Sequence, residues 1–192
     1  HEVPDDCIWT RAYDFGSSAP STALPNPDWS ASAKIGYSRT TGLYYVAEVW
    51  RDRINMPDLV EEIVKTAFRD GIEDCKIFIP KDPGAAGTFA SQFMVKQLAE
   101  RGVPVKLIPT TGHRSKLSKF LPFCSVCEIG HVKWVRGPWN EVCFRELSVF
   151  QGGDRVNKDD QVDAISDSFM QLARQHASSP NISLAGVSLT RD

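Results

Sequence analysis

Hydrophobic residues follow two different spacings along this chain, and the spacing changes at turn residues. In the first half they alternate with polar residues or form short continuous runs, which is typical of β-strands. The runs 31–38 and 43–50 are separated by a short turn that contains Gly42, so the first three strands are expected to be antiparallel neighbours. Strands are predicted over residues 7–15, 31–38, 43–50, 76–79, 103–108 and 131–135.

Elsewhere the apolar residues recur every three to four positions, as amphipathic helices require. Helices are predicted over residues 56–68, 85–100, 114–129, 138–150 and 160–176, with Pro122 interrupting the third. The last pattern is the clearest, and its apolar stripe consists of Val162, Ile165, Phe169 and Leu172. The apolar residues expected on the buried side of the second helix are Phe89, Phe93, Leu98 and Ala99.

The order of these elements predicts an α/β fold. Three strands joined by tight turns, followed by alternating helices and strands, indicate a mixed β-sheet with helices on its faces. In this sheet the first three strands are antiparallel and the later ones parallel. A single domain over 1–176 is expected, followed by a flexible serine-rich tail over 177–192 that lacks periodicity.

Charge is unevenly distributed although the net charge of the 192-residue chain is only −2. Residues 101–136 contain seven basic residues and one acidic residue, Glu128. The following segment, 154–167, contains five aspartates against Arg155 and Lys158. A basic surface next to an acidic pocket suits a polyanionic substrate that is handled together with metal ions.

The five cysteines are an odd number, and neither a secretory signal nor a long apolar span is present. These features predict a reduced, intracellular protein. Cys124 and Cys127 form a CxxC pair that permits a zinc site, with His131 and Cys143 as further ligands. Buried thiols are the favoured interpretation, because no second CxxC or HxxxH motif accompanies the pair.

Aspartates occur where two buried strands end and where the last helix starts. Asp14 ends the first strand, Asp82 follows the fourth, and Asp159, Asp160 and Asp163 open the terminal helix. Each taken singly is typical of a turn or a helix cap. Together they are the oxygen ligands that Mg²⁺ and Mn²⁺ prefer, so a metal-dependent phosphodiester-cleaving enzyme is the leading hypothesis.

The helical wheel limits which of these acids reach the sheet. Asp160 and Asp163 share one face, and this face lies opposite the apolar stripe of the same helix. Only the first helical turn is therefore expected to approach the edge of the sheet. Asp167, one turn further along, is expected to be solvated surface.

Several motifs together resemble the nuclease domain of the large terminase subunit of tailed bacteriophages, in the ribonuclease H-like superfamily. The resemblance runs in order from Trp9 to Leu172. The motifs are Asp14 on a first strand, the hairpin strand 43–51, the block 79–87 with Asp82, Arg114-Ser115-Lys116 before a helix, and Asp159-Asp160-Gln161-Val162-Asp163-Ala164. The sequence departs from many relatives at Lys158, where they have histidine, and Asp28 matches an acid that relatives often carry.

The resemblance implies a ribonuclease H-like fold and two bound Mg²⁺ or Mn²⁺ ions. The metal-binding and catalytic residues that it implies are Asp14, Asp82, Asp160 and Asp163, with Asp159 as an additional metal ligand. It implies hydrolysis of double-stranded DNA with little sequence specificity during viral genome packaging, in the host cell cytoplasm. Arg114, Lys116 and Lys119 are expected to contact the phosphate backbone.

The implied partners are an ATPase motor domain, the portal and the small terminase subunit. The sequence has no phosphate-binding G-x-x-x-x-G-K-[ST] motif, so a nuclease domain separated from its motor is expected. Two alternatives remain open. One is a RuvC-like junction resolvase, which uses the same metals on branched DNA. The other is a non-catalytic DNA-binding or assembly module with the same fold.

Overall fold

The computed structural model describes residues 2–16, 19–81, 84–108, 115–152 and 158–177. The strands are β1 Cys7–Asp14, β2 Ser30–Ser38, β3 Tyr44–Asp52, β4 Cys75–Ile79, β5 Val105–Leu107 and β6 Val132–Trp134. The helices are α1 Met56–Asp70, α2 Gly84–Glu100, α3 Lys116–Glu128, α4 Asn140–Val149 and α5 Asp160–Ala177. The described part of the tail predicted over 177–192 is Ala177 alone, and 178–192 lie outside the described residues.

The strands form one mixed sheet in the order β5-β4-β1-β2-β3-β6. β1, β2 and β3 are antiparallel neighbours, whereas β4, β5 and β6 join the sheet in parallel pairs. This arrangement confirms the predicted mixed sheet with antiparallel first strands. β1 lies between β2 and β4, at the centre of the sheet, so residues at its end are held by hydrogen-bonded neighbours on both sides.

The alternation of side chains along β1 divides the molecule into two halves. Thr10, Ala12 and Asp14 point to one face, and Arg11 and Tyr13 point to the other. The first face packs against a core to which α3, α4 and α5 contribute. The second packs against a core built with α1 and α2. Each face of the sheet is therefore covered by helices, as parallel pairing in its centre requires.

Small residues let α5 lie close on the sheet. Ala31 and Ala33 of β2 and Ala164 of α5 are fully buried in the same core. The hydroxyl groups of Thr10 and Ser168 are 3.0 Å apart, and Ser168 Oγ also donates to the Thr10 carbonyl oxygen. Because Ser168 lies above Thr10, the helix runs antiparallel to β1, and its N-terminal turn lies toward Asp14.

The structure corrects the predicted buried side of α2. Phe89 and Phe93 are 71% and 53% exposed and Ala99 is also exposed, whereas Leu98 is buried as predicted, together with Met94. The helix has apolar residues on several sides, so its sequence did not define a single stripe. Contact with α1 and β5 selects the side that carries Met94 and Leu98.

Two helix predictions also change in detail. α3 continues through Pro122, and α4 begins at Asn140 instead of at the predicted Pro138. Pro122 lies in the second turn of α3, and the turns on either side of it keep their helical hydrogen bonds. Within the described residues, none of the helices has the length and apolar character that crossing a membrane requires.

Candidate metal centre

Asp14 lies at the end of β1, on the face covered by α5. The chain turns sharply just after it, because the backbone N–H of Gly16 donates to Ser30 Oγ at 3.0 Å. A Cβ atom at Gly16 would lie 2.4 Å from the carbonyl oxygen of Asp28, so only glycine fits this turn. The turn fixes Asp14 at the edge of the sheet.

The N-terminus of α5 is fixed by Glu146, a buried residue of α4. One carboxylate oxygen of Glu146 accepts the backbone N–H of Gln161 at 2.7 Å, and the other accepts Gln161 Nε2 at 2.5 Å. Arg51 of β3 donates to the second oxygen at 2.7 Å. Glu146 therefore satisfies one of the free N–H groups at the helix start and positions the first turn of α5.

Four aspartates gather between the end of β1 and one face of α5. Burial, followed by the negative charges of Asp163 and Asp160, raises the pKa of Asp14 to about 8. Burial also raises the pKa of Asp160 to about 6, with further contributions from the charges of Asp28 and Glu146. Burial raises the pKa of Asp167 as well. The pocket thus carries more negative charge than its surroundings compensate.

One buried oxygen in this pocket has no partner. The carboxylate of Asp160 accepts the backbone N–H of Trp29. Its Oδ2 is buried and has no hydrogen-bond partner among the described residues. A buried carboxylate oxygen left in this way is costly unless a cation or water pairs with it.

Two lysines of α3 supply the nearest positive charges. Lys116 Nζ lies 2.6 Å from an oxygen of Asp159 and 2.6 Å from an oxygen of Asp163. Burial alone would lower the pKa of Lys116, but these hydrogen bonds outweigh it and raise the pKa above its usual value. Lys119 Nζ lies more loosely, 3.3 Å from Asp167 and 3.6 Å from Asp163.

The segment before α5 faces a second group of charged residues. Lys158 forms an ion pair with Asp28. Near it, the guanidinium groups of Arg51 and Arg53 stack on the ring of Trp29, with distances of 4.5 and 3.9 Å to the ring centroid. Lys158 therefore binds an acid, and Asp28 acts on the centre through its charge on Asp160.

Two of the site residues predicted from the sequence, Asp82 and Arg114, lie outside the described residues. Strand β4, which precedes Asp82, is parallel to β1 and pairs Phe78 with Ala12. The two strands therefore end at the same edge of the sheet.

The structure corrects one expectation and adds one residue. Asp167 is not solvated surface: its side chain is only 14% exposed and pairs with Lys119. The face of α5 opposite the apolar stripe is covered by α3 and by the end of β1, a contact that a helical wheel cannot show. Glu146 was missed because its role depends on α4 meeting the start of α5.

The cysteines do not gather with the acids. Cys124 and Cys127 lie on α3 and Cys143 on α4, and all five cysteines are free. Burial raises the pKa of Cys127 to about 11 and that of Cys143 to about 12, so both remain protonated thiols near neutral pH. Protonated thiols are typical of buried cysteines, whereas zinc ligands are thiolates.

The donor set at the end of β1 fits a hard divalent cation. It consists of carboxylates, two of which have raised pKa values, and it includes the unpaired Oδ2 of Asp160. Across the described ranges, however, no three His, Cys, Asp or Glu side chains are arranged so that they could hold a metal. Asp159 and Asp163 pair with Lys116, and Asp82 lies outside the described residues.

Comparisons with known proteins agree with this geometry. A model of the terminase RNaseH-like domain family matches residues 11–172. No curated protein matches the chain.

Three solved structures illustrate the similarity of fold. The large terminase nuclease domain of P22 is 19% identical with a TM-score of 0.61, over 89% of this chain and 84% of that one. The large terminase nuclease of thermophilic phage G20c, with bound zinc, is 17% identical with a TM-score of 0.56, over 88% and 83%. The fowlpox virus resolvase, in complex with Holliday junction DNA, is 9% identical with a TM-score of 0.51, over 88% and 99%.

The family match covers most of the chain and includes Asp14, Asp160 and Asp163. The mixed sheet covered by helices has the overall fold of the solved P22 nuclease domain. The chain belongs to the family of terminase RNaseH-like domains.

Proposed function

We propose that this chain is a divalent-metal-dependent endonuclease that cuts double-stranded DNA with little sequence specificity during viral genome packaging. The observation that carries the proposal is the gathering of Asp14 with Asp160, Asp163 and Asp167. Burial and like charge raise the pKa of Asp14 to about 8, and such an excess of carboxylates calls for a cation. The family match supports DNA as the substrate class.

The acids of the centre would hold two Mg²⁺ or Mn²⁺ ions. Asp14, Asp82, Asp160 and Asp163 are the proposed ligands, with Asp159 as an additional one. When bound, such ions activate a water molecule and stabilise the leaving oxygen of a phosphodiester. The G20c relative contains zinc, which supports the use of a divalent metal by this fold.

The chain's own residues hold this centre in place. Gly16 and Ser30 fix the turn after Asp14, and Glu146 fixes the first turn of α5. Asp14 and Asp160 therefore reach the pocket from elements that cannot shift independently. Such preorganisation is what a metal centre needs, because misplaced ligands weaken both binding and chemistry.

The basic residues next to the acids would contact the substrate. Arg114, Lys116 and Lys119 are the cations that we propose for contacts with DNA phosphates. These contacts carry no sequence information, so they suit cutting with little base preference. In a packaging role the domain would act in the host cytoplasm with an ATPase motor domain, the portal and the small terminase subunit.

Replacing Asp14 tests the proposal directly. Asp14→Asn should lower the rate of plasmid nicking in Mn²⁺ by on the order of 100-fold or more, since loss even of a residue that supports a ligand costs about 10–100-fold. Asp5→Asn, an exposed aspartate near the start of β1, is the matched control and should cut as the wild type does. If Asp14→Asn nicks plasmid DNA at the wild-type rate, Asp14 is not a ligand of the metal centre.

Two other functions are separated by simple assays. The likeness to a resolvase bound to Holliday junction DNA favours branched substrates, so cleavage of a four-way junction and of linear duplex should be compared at equal concentration. Preference for the junction would favour the resolvase. DNA binding that EDTA leaves unchanged, without cleavage in any metal, would favour a non-catalytic module.

A further inference from the structure

Lys116 occupies an unusual position among the acids. Its ammonium group bridges Asp159 Oδ1 and Asp163 Oδ2, each at 2.6 Å. Both carboxylates are nearly enclosed, with side chains 12% and 10% exposed, whereas the Lys116 side chain is 43% exposed. The acids are therefore fixed in the pocket, and the cation that neutralises them enters from the surface.

This bridge uses the oxygens that a metal ion would need. A divalent cation and an ammonium group compete for the same carboxylates, because both are attracted by the same negative charge. The described residues provide no group of three metal-binding side chains, and Lys116 pairs with one oxygen of Asp159 and one oxygen of Asp163. Removing it would free one oxygen on each of Asp159 and Asp163.

We propose that Lys116 is a displaceable counter-ion that competes with the divalent cation for Asp159 and Asp163. The inference rests on the proposed metal centre and adds a residue that controls how tightly this centre binds metal. Lys116 stabilises the metal-free pocket, and a bound metal ion displaces its ammonium group. The ammonium group then becomes free to bind a phosphate.

The position of Lys116 allows such a displacement. It is the first residue of α3, and the start of this helix is capped independently by Ser115, whose side chain accepts the N–H of Ser118 at 3.1 Å. Movement of the lysine side chain therefore does not require the helix to unwind. Four rotatable bonds and an exposed stem let the ammonium group reach solvent.

The matched comparison is Lys119. It carries the same charge one turn further along α3, but its contacts to Asp163 and Asp167 are longer, at 3.6 and 3.3 Å. If Lys116 acts only through its charge, removal of either lysine should have a similar effect on metal binding. If Lys116 holds two metal ligands, its removal should have the larger effect.

Mn²⁺ binding without DNA tests the inference. After removal of metals with EDTA and dialysis, free Mn²⁺ is measured by electron paramagnetic resonance for the wild type, Lys116→Met and Lys119→Met. Lys116→Met should bind Mn²⁺ about ten-fold or more tightly, because two charge-assisted hydrogen bonds no longer oppose binding. Lys119→Met should change the Kd by less than about three-fold, as looser ion pairs do.

Thermal unfolding provides a second readout. Without metal, Lys116→Met should have a lower Tm than the wild type, since its acids lose their counter-ion. Saturating Mn²⁺ should close this gap, because bound metal stabilises the folded state of the variant more. Lys65→Met, which removes an exposed lysine 3.5 Å from Glu62 on α1, should leave both the Kd and the gap unchanged.

Each outcome decides between the proposals. An unchanged Kd in Lys116→Met, or an equal change in Lys119→Met, overturns the counter-ion role while the metal centre stands. Failure of the wild type to bind Mn²⁺ overturns the proposed function itself. If Lys116→Met does not fold, Lys116→Gln removes the charge but keeps a polar group, and the same Kd comparison applies.

Discussion

Two clusters of buried charge lie on β1, three residues apart and on opposite faces of the sheet. On one face, Arg11 is fully buried and donates to Asp70 at 2.6 Å, Glu48 at 2.6 Å and Ser32 at 2.9 Å. On the other face, Asp14 meets the acids of α5. Both sites are enclosed by helices, yet their charges are balanced in very different ways.

The pKa values show the difference. Burial alone would raise the pKa of Asp70, but the guanidinium group of Arg11 outweighs it and lowers the pKa. Among the described residues Asp14 has no such ion pair, and burial together with the charges of Asp163 and Asp160 raises its pKa to about 8. A buried cluster in which every charge is paired holds the fold together, whereas a buried excess of one sign marks a place for a ligand.

The largest expected effect concerns the paired cluster. Arg11→Met should lower the free energy of unfolding by about 3–5 kcal/mol, because the buried Asp70 and the partly buried Glu48 are left without their main cation. Urea unfolding at pH 7 measures this loss. A loss below about 1 kcal/mol would show that the Arg11 cluster does not hold α1 on the sheet.

The next largest effect is expected from metal addition, which should stabilise the protein through the Asp14 cluster and not through the Arg11 cluster. Mn²⁺ at 100 times its Kd should stabilise the wild type by about 2.7 kcal/mol, since it binds the folded state only. Asp14→Asn should lose most of this gain, and EDTA should reverse it. Thermal unfolding with and without Mn²⁺ measures the effect. Equal stabilisation of the wild type and Asp14→Asn would place the ion elsewhere.

In the metal-free protein, pH should change the free energy of unfolding by less than metal binding does. The two clusters should respond to pH with opposite signs. The folded-state pKa of Asp14 is about 8 against an ordinary value of 3.8, so its contribution to stability is lost as pH rises between these values. Asp14→Asn should therefore be more stable than the wild type at pH 8, by about 1–2 kcal/mol, and similar to it at pH 4.

Asp70 gives the reverse trend. Its pKa is lowered in the folded state, so its contribution is present above pH 3.8 and is lost as pH falls through the lowered value. Urea unfolding in EDTA from pH 3 to pH 8 measures both trends. An Asp14→Asn protein with the wild-type slope between pH 4 and pH 8 would show that Asp14 is not the group that titrates there.

The smallest effect is expected at the rim of the paired cluster. Arg69 forms an ion pair with Glu48, but its side chain is 51% exposed. Arg69→Met should change the free energy of unfolding by less than about 1 kcal/mol, because water screens an exposed ion pair. The difference between Arg69→Met and Arg11→Met in the same urea assay shows how much of the stability depends on burial of the cation.

The sequence predicted the positions of the strands, the antiparallel pairing of the first three and the parallel pairing of the later ones, because alternation and turn residues are local signals. It also indicated Asp14, Asp160 and Asp163, since the end of a strand and the start of a helix are visible in the pattern. The contacts of α5 with α3 and with α4 leave no such signal. For this reason the burial of Asp167 beside α3 and the positioning role of Glu146 on α4 were not predicted.

The same limit applies to the lysines and to α2. The ion pairs of Lys116 and Lys119 with acids 43 or more residues away in sequence were not predicted, and their proposed contact with DNA stays a prediction. Leu98 is buried as predicted, but Phe89 and Phe93 are exposed, and Met94 is buried instead. In both cases the deciding contact is between elements, and a linear pattern records only the elements.

The contact between Thr10 and Ser168 joins positions 158 residues apart. Because Asp14 precedes α5 in the chain, it leaves the ribosome before α5 can dock against β1. The pocket between Asp14 and the acids of α5 therefore forms only after α5 has been synthesised and has packed on the sheet. The time at which this pocket forms thus follows from the topology.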